Sequence, residues 1–143
     1  MKKVLVISGP NLNLLGLREP EIYGNRNYAS LVEFTENALA ECGFESGFYQ
    51  SNHEGDLVDA IQEAYGVYDG IIINPAAYTH TSVAIPDAIK AVGIPTVEVH
   101  LSDINSREEF RKHSFVSPVA VATICGKGFD GYADAAKILE KTI

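Results

Sequence analysis

The residues best suited to chemistry lie in a long connection over residues 9–24, which follows a short hydrophobic run. This segment, GPNLNLLGLREPEIYG, carries Asn11, Arg18 and Tyr23 between glycines and prolines. Connections inside compact domains usually have about 4 to 6 residues, and longer ones are commonly lids or binding loops. A nearby guanidinium lowers the pKa of a phenol, which suits Arg18 to make Tyr23 a proton acceptor, although a tyrosine in a loop is ordinarily a packing residue. We predict an active-site lid within residues 9–27.

A second polar group follows the hydrophobic run that ends at His100, in the segment VEVHLS. Glu98 lies two positions earlier, so both side chains point to the same face of a strand, where the carboxylate can orient the imidazole. Ser102 and Arg111 follow, and a guanidinium is suited to bind carboxylates. We favour an acid/base or ligand-binding role for His100 over that of a structural histidine in the core.

A predicted sheet must position both groups. Short runs rich in valine and isoleucine alternate with segments of helical periodicity along the chain. The predicted strands are residues 4–7, 46–50, 70–73, 96–100 and 119–124. The predicted helices are residues 28–42, 54–65, 82–92 and a last helix that begins at Gly131.

Five strand–helix units predict a single α/β domain over residues 1–143. Near-continuous runs such as VLVI and GIIIN are typical of a sheet that helices cover on both faces. We therefore predict a flavodoxin-like three-layer sandwich, with a five-stranded parallel sheet in the order 2-1-3-4-5. Ligands of such sheets bind beyond the carboxyl ends of the strands, near the switch between strands 1 and 3. Polar clusters follow the first four strands, so the sequence predicts a shared pocket at this edge.

Composition and charge narrow the possible function classes. The 143-residue chain has a formal net charge of −8, which argues against nucleic-acid binding because such proteins need a basic face. The apolar run near the N-terminus is too short for a signal peptide or a membrane span, so no membrane partner is expected. Cys42 and Cys125 lie far apart and fit small buried side chains in a reducing compartment. We expect a soluble, cytoplasmic protein.

The arginines are distributed unevenly. Arg18, Arg26, Arg107 and Arg111 fall in two segments, while the lysines are scattered through the remainder. Such confinement is compatible with a local site for a small anion. Composition alone favours four ordinary surface arginines.

One motif supports an alternative function. Gly126, Gly128 and Gly131 spell GxGxxG between a predicted strand and a predicted helix, but a dinucleotide fingerprint needs a further strand with an acidic residue about 20 positions on. We interpret these glycines as a tight turn. The alternative is a non-catalytic flavodoxin-like module that binds a nucleotide or phosphate there. The histidines lack the spacing of metal ligands, so no metal is predicted.

Four long motifs carry a resemblance to a known family. They are GPNLNLLGLREPEIYG, QSNHEGDLVDAIQ, INPAAYTHTSVAIPDA and VEVHLSDINSREEFR with the serine that follows it. In these motifs the chain resembles the type II 3-dehydroquinases, the 3-dehydroquinate dehydratases of the shikimate pathway. The resemblance implies a flavodoxin-like lyase that converts 3-dehydroquinate to 3-dehydroshikimate through an enolate, without a cofactor, a metal or a Schiff base.

The resemblance also implies roles for individual residues. Tyr23 would remove the proton at C2 of the substrate, and Arg18 would hold that tyrosine ionised. Asn11 would position an ordered water at the enolate oxygen. His100 would protonate the departing C1 hydroxyl, supported by Glu98. The implied substrate-binding residues are Asn74, His80, Leu101 through its backbone, Ser102 and Arg111.

The resemblance also implies an oligomer, and two residues of the chain differ from the family motif. The family forms trimers that assemble into dodecamers, and Asp87 would be contributed across a subunit boundary. Asp103 stands where asparagine is usual, and we expect it to point away from a site meant for a carboxylate. Ala122 stands where we associate glycine, with little expected effect on chemistry.

Overall fold

The computed structural model describes residues 1–17 and 26–143 of the chain. Within them, five parallel strands form a sheet in the order β2-β1-β3-β4-β5, which confirms the predicted topology. The strands are β1 Lys3–Ser8, β2 Glu45–Gln50, β3 Gly70–Asn74, β4 Thr96–His100 and β5 Ala122–Cys125. The first four agree with the predicted strands to within one residue at each end.

The fifth strand begins later than the predicted residue 119. Residues Ser117–Val119 form a 3-10 turn that contains a proline, and Val119 N donates to Val116 O at 3.0 Å. Val119 packs against buried side chains on one face of the sheet, so its hydrophobicity serves a turn and not a strand. Pairing with β4 begins at Ala122, which lies opposite Val97.

The described residues form four α-helices. They are α1 Tyr28–Glu41, α2 Glu54–Ala64, α3 Ala84–Val92 and α4 Asp130–Thr142. A capping box begins α1, because Asn27 Oδ1 accepts from Ser30 N at 2.9 Å and Ser30 Oγ accepts from Asn27 N at 2.8 Å. The third helix begins later than the predicted residue 82, since Ser82 Oγ instead accepts from Ile85 N at 3.0 Å.

The helices cover both faces of the sheet and complete the predicted three-layer sandwich. One face carries Val4, Val6 and Ile72 under α1 and α4, and the other carries Leu5 and Ile73 under α2 and α3. Neighbouring strand residues point to opposite faces, so a run without polar residues fills both cores. Each such buried side chain contributes about 1.5–3 kcal/mol. Among the described residues, no helix combines the length and the apolar character that a membrane crossing requires.

A close backbone contact joins the carboxyl ends of β1 and β3. Gly9 N donates to Asn74 O at 2.8 Å as the chain leaves β1. A Cβ at Gly9 would lie 2.4 Å from Pro75 O, which is closer than nonbonded atoms approach. The glycine therefore allows the segment that follows β1 to run beside the end of β3, where the predicted site lies.

Candidate active site

A cavity of about 150 Å³ lies beyond the carboxyl ends of β1, β3 and β4. This is the edge of the sheet at which the strand order predicts a ligand site. The cavity is lined by seven of the predicted site residues: Asn11, Asn74, His80, His100, Leu101, Ser102 and Arg111. The fold therefore brings together side chains that are up to 100 positions apart in the sequence.

Two other predicted site residues, Glu98 and Asp87, do not line this cavity, and two more lie outside the described residues. Glu98 is fully buried behind His100. Asp87 is exposed on α3. Arg18 and Tyr23 lie outside the described residues, as does all of residues 18–25 in the middle of the predicted lid.

The first residues of the predicted lid are held against the end of β2. Asn11 adopts a left-handed conformation with φ 71°, which asparagine tolerates better than most residues. Its backbone N–H donates to Asn52 Oδ1 at 3.0 Å, and Gln50 Nε2 lies 3.2 Å from the same oxygen. Asn13 Oδ1 accepts from Gln50 at 3.3 Å and is not among the residues that line the cavity. Of the two asparagines, Asn11 alone therefore faces the site.

His100 and Glu98 form a buried pair at the end of β4. His100 Nε2 lies 2.5 Å from Glu98 Oε2, and the two residues are 5% and 0% exposed. Thr79 Oγ1 donates to Oε2 of the carboxylate at 2.6 Å, and Ser114 Oγ approaches both carboxylate oxygens at 2.8 and 3.0 Å. Thr123 Oγ1 lies 3.2 Å from Oε1.

These contacts decide the charge on Glu98. Burial alone would raise the pKa of this carboxyl and is the largest influence on it. The hydrogen bond and charge of His100, with the hydroxyls of Thr79 and Ser114, outweigh burial and lower the pKa of Glu98 below its ordinary value. An ionised carboxylate only accepts hydrogen bonds, so His100 Nε2 is the donor of the pair. Nδ1 is the ring nitrogen left for the cavity.

Asn74 is held at both ends of its amide group. Its Oδ1 accepts from Ala76 N at 3.0 Å, and its Nδ2 donates to Tyr132 Oη at 3.3 Å. Tyr132 is fully buried, which raises the pKa of its phenol and keeps it neutral. One hydrogen of Nδ2 therefore remains for a ligand. Ala76 has φ 53°, a strained conformation for alanine that costs about 1–2 kcal/mol and recurs at functional sites.

His80 is fixed in one tautomer by the backbone. Its Nδ1 lies 2.8 Å from the carbonyl oxygen of His113, and a carbonyl can only accept a hydrogen bond. Nδ1 therefore carries a hydrogen. Nε2 is the nitrogen left for a ligand in the cavity, as an acceptor when the ring is neutral and as a donor when it is charged.

Two arginines give the cavity a positive wall in an acidic protein. Arg107 Nη1 donates to Ser102 Oγ at 3.3 Å, and both residues line the cavity. Arg111 Nε lies 2.9 Å from Glu108 Oε2, but its N–H is not directed at that oxygen, so the contact is an ion pair without hydrogen-bond geometry. The Arg111 guanidinium also lies 5.2 Å from the centre of the Phe110 ring. The cations are thus held in place while donors remain for an anion.

Comparison with known proteins identifies the family. The model of the family described as dehydroquinase class II matches residues 2–140. The chain belongs to this family. A 3-dehydroquinate dehydratase from Caldicellulosiruptor saccharolyticus is 54% identical over 144 residues, which cover 100% of this chain and 99% of the relative.

Solved structures of class II dehydroquinases have the same fold. The type II dehydroquinase from Butyrivibrio crossotus is 51% identical and superposes with a TM-score of 0.92, covering 96% of this chain and 97% of that one. The type II dehydroquinase from Propionibacterium acnes is 39% identical with a TM-score of 0.92, covering 99% and 97%. The predicted family, its dehydratase enzyme class and the flavodoxin-like fold are confirmed.

One arginine and three hydroxyl side chains in or behind this cavity were not predicted as site residues from the sequence. Arg107 lines the cavity, and the signal that could have identified it was its confinement with Arg111 in one short segment. Thr79, Ser114 and Thr123 surround Glu98. No sequence signal distinguishes these three hydroxyls, because each lies in a turn or strand where such residues are common.

The two departures from the dehydroquinase pattern lie away from the cavity. Asp103 is not among the lining residues, and its Oδ1 accepts from Asn105 N at 2.9 Å, which caps the 3-10 turn Ile104–Ser106. The carboxylate is thus occupied by a backbone amide. Ala122 opens β5 and packs against one of the two cores.

The glycines of the GxGxxG motif meet local structural needs. Gly126 and Gly128 have φ values of 79° and 56°, which favour glycine. Gly128 N donates to Leu101 O at 3.1 Å. A Cβ at Gly131 would lie 3.2 Å from Ile124 and 3.3 Å from Val99, so this glycine allows α4 to pack closely on the sheet. These contacts agree with the interpretation as a tight turn.

Proposed function

We propose that this dehydroquinase dehydrates 3-dehydroquinate to 3-dehydroshikimate through an enolate, without a Schiff base. The observation that carries the proposal is the buried Glu98–His100 pair, which opens into a cavity with two arginines in a chain of the class II dehydroquinase family. Loss of water from a β-hydroxy ketone needs a base at the α-carbon, a stabiliser for the enolate oxygen and an acid for the leaving hydroxyl. The chain offers a candidate for each.

His100 is the proposed acid. Glu98 holds the proton on Nε2, so a second proton on Nδ1 gives an imidazolium that faces the cavity. The adjacent carboxylate stabilises that cation. Transfer of the Nδ1 proton to the C1 hydroxyl releases water and leaves the ring neutral, while Glu98 stays ionised throughout.

Tyr23 is the proposed base, and Arg18 the cation that favours its ionised form. Both belong to the lid segment outside the described residues, so their roles rest on the family motif REPEIYG. Asn11 is proposed to position a water at the developing enolate oxygen, and its place in the cavity supports this role. A stabiliser of this kind acts where charge develops in the transition state.

The remaining lining residues are proposed to bind the substrate. The free Nδ2 hydrogen of Asn74 and the free Nε2 of His80 match hydroxyl groups, as do Ser102 and the backbone near Leu101. The Arg111 guanidinium matches the substrate carboxylate, since its planar fork fits that group. Arg107, which contacts Ser102, adds a second positive charge on the same wall.

The proposal also includes the assembly of several subunits. Asp87 is exposed on α3 and outside the cavity of its own chain, which suits a contribution to the site of a neighbouring subunit. We propose trimers that assemble into dodecamers. Light scattering measures the assembly directly.

A cytoplasmic location is proposed from the two cysteines, Cys42 and Cys125, which are both free thiols.

The decisive experiment mixes the purified chain with 3-dehydroquinate and follows the ultraviolet absorbance of the conjugated enone product. We expect the absorbance to grow with the wild type and to be nearly absent with Tyr23→Phe, which keeps the shape of the side chain and removes the proton acceptor. Borohydride added during turnover should leave the protein mass unchanged. Folded, oligomeric wild-type protein without product would exclude the dehydratase, and tight nucleotide binding would then favour the alternative module.

A further inference from the structure

The Glu98 carboxylate is enclosed by donors from four different parts of the fold. Beside His100 on β4, it contacts Thr79 from the 3-10 turn Ala76–His80, Ser114 from the segment before β5 and Thr123 from β5. Thr79 is completely buried, and Ser114 is 9% exposed. These two hydroxyls do not line the cavity, so they cannot reach a substrate.

The hydrogen-bond geometry directs the hydroxyl protons of Thr79 and Ser114 toward Glu98. Ser114 Oγ accepts from Val116 N and from Ser117 N, both at 3.1 Å, so its lone pairs are used. Its hydrogen has two acceptors at 2.8 Å, Glu98 Oε2 and Thr79 Oγ1, of which the charged oxygen is the stronger. Thr79 Oγ1 lies 2.6 Å from Glu98 Oε2, a length typical of a hydroxyl that donates to a charged oxygen. Thr79 and Ser114 therefore stand where water would otherwise solvate the charge.

Few charges face this carboxylate among the described residues. His100 is on the same strand, and Cys125 on β5 is close enough for Glu98 to raise the pKa of its thiol, in addition to the larger effect of burial. The other contacts are hydroxyls. A buried carboxylate otherwise takes up a proton, and the hydroxyl donors add to the larger effect of His100 in keeping Glu98 ionised.

We propose that Thr79 and Ser114 are positioning residues of the reaction, which hold Glu98 ionised and in the rotamer that presents Nδ1 of His100 to the leaving group. This inference rests on the proposed function of His100 as the acid. The two hydroxyls act through Glu98 and His100 without contact with the substrate. Loss of either hydroxyl makes His100 less effective as the proton donor and leaves the substrate-binding groups in place.

The test replaces Thr79 by valine, which keeps the shape and removes the donor. One lost hydrogen bond to a charged group corresponds to about one pH unit in the pKa of that group. Glu98 then takes up its proton at a higher pH, so the acid limb of the kcat profile moves upward by about one pH unit. We expect kcat to fall about 10-fold on the acid limb itself, where Glu98 is protonated in the variant, with kcat near pH 7 and KM both changed by less than about twofold. Ser114→Ala should shift the limb in the same direction.

Two controls separate this effect from a loss of packing. Thr35 is also fully buried, and its Oγ1 has no hydrogen-bond partner in the described part of the chain. Thr35→Val should therefore leave the pH profile unchanged. Thr79→Ser restores a hydroxyl and should recover most of the wild-type kcat and the original acid limb.

The outcomes distinguish this inference from the proposed function. Wild-type protein without turnover of 3-dehydroquinate overturns the proposed function itself. Wild-type turnover with an unshifted acid limb in folded Thr79→Val and Ser114→Ala overturns the inference alone. A rise in KM without a shift of the limb would show a structural role for these hydroxyls. If Thr79→Val does not fold, the acid limb of Ser114→Ala decides the question.

Discussion

The two charged walls of the cavity are built in opposite ways. The carboxylate wall consists of His100, which lines the cavity, and Glu98, which lies behind it. This wall is almost wholly buried, and hydroxyls and the imidazole all donate to the Glu98 carboxylate. On the arginine wall, Arg107 and Arg111, the side chain of Arg111 is 32% exposed and its Nε makes no hydrogen bond within the described residues. The charge proposed to stay in place during the reaction is surrounded by protein donors. The charge proposed to bind a ligand, that of Arg111, keeps its Nε donor free within the described residues.

The largest expected effect comes from neutralising the carboxylate wall. Glu98→Gln removes the charge that stabilises the His100 imidazolium, while the amide keeps nearly the same volume. Since general acid catalysis contributes about 10²–10⁴-fold, we expect a loss of that order in kcat. Steady-state kinetics should show KM almost unchanged. A variant with raised KM and normal kcat would mean that the two walls share the task of binding.

Much of the carboxylate wall could be predicted from the sequence, because its two main residues lie on one strand. Residues two positions apart on a strand share a face, so VEVH places Glu98 and His100 together. The hydroxyls of Thr79 and Ser114 come from distant segments, 19 and 16 positions from Glu98. Only the packing of those segments over β4 decides that they meet the carboxylate.

The fold was predictable for a related reason. The prediction failed at one position, where a hydrophobic residue belongs to a turn and not to a strand. Runs of buried residues rich in valine and isoleucine define β1, β3 and β4, and their lengths match the sheet. At Val119 the same signal marks a turn residue that packs on the core, since the adjoining Pro118 favours the 3-10 turn. A single sequence does not distinguish a hydrophobic residue of a buried strand from one in a turn that packs on the core.

The arginine wall should respond in KM. Arg111→Gln removes the cation proposed to bind the substrate carboxylate, and the loss of a charged hydrogen bond corresponds to about a 10–100-fold rise in KM. Arg107→Gln should have a smaller effect in the same direction. Because this wall is partly exposed, added salt should raise KM in the wild type more than in Arg111→Gln. Equal salt dependence in the two proteins would argue against substrate binding by this charge.

The two walls should also differ in how they affect stability against pH. The pKa of Glu98 is lowered in the folded state, so the unfolded chain takes up this proton first as the pH falls. The stabilisation is complete above the ordinary value of 4.5 and is lost below it, as the pH falls toward the folded pKa. Denaturant unfolding should show a steeper acid loss of free energy in the wild type than in Glu98→Gln. Arg111→Gln should change the slope less than Glu98→Gln does, because the carboxyl whose pKa Arg111 helps to lower, that of Glu108, is exposed and screened by solvent.

The smallest effect is expected just outside the arginine wall, at Asp103. Its carboxylate accepts from Asn105 N and does not line the cavity, so its charge acts on a bound anion only from a distance. Asp103→Asn keeps a side-chain oxygen for the cap, since asparagine caps about as well as aspartate. We expect KM to change by less than about twofold at physiological salt, where exposed charges more than about 8 Å apart are largely screened from one another. A fall in KM well beyond twofold would mean that this carboxylate turns toward the substrate, and that the arginine wall carries a built-in repulsion.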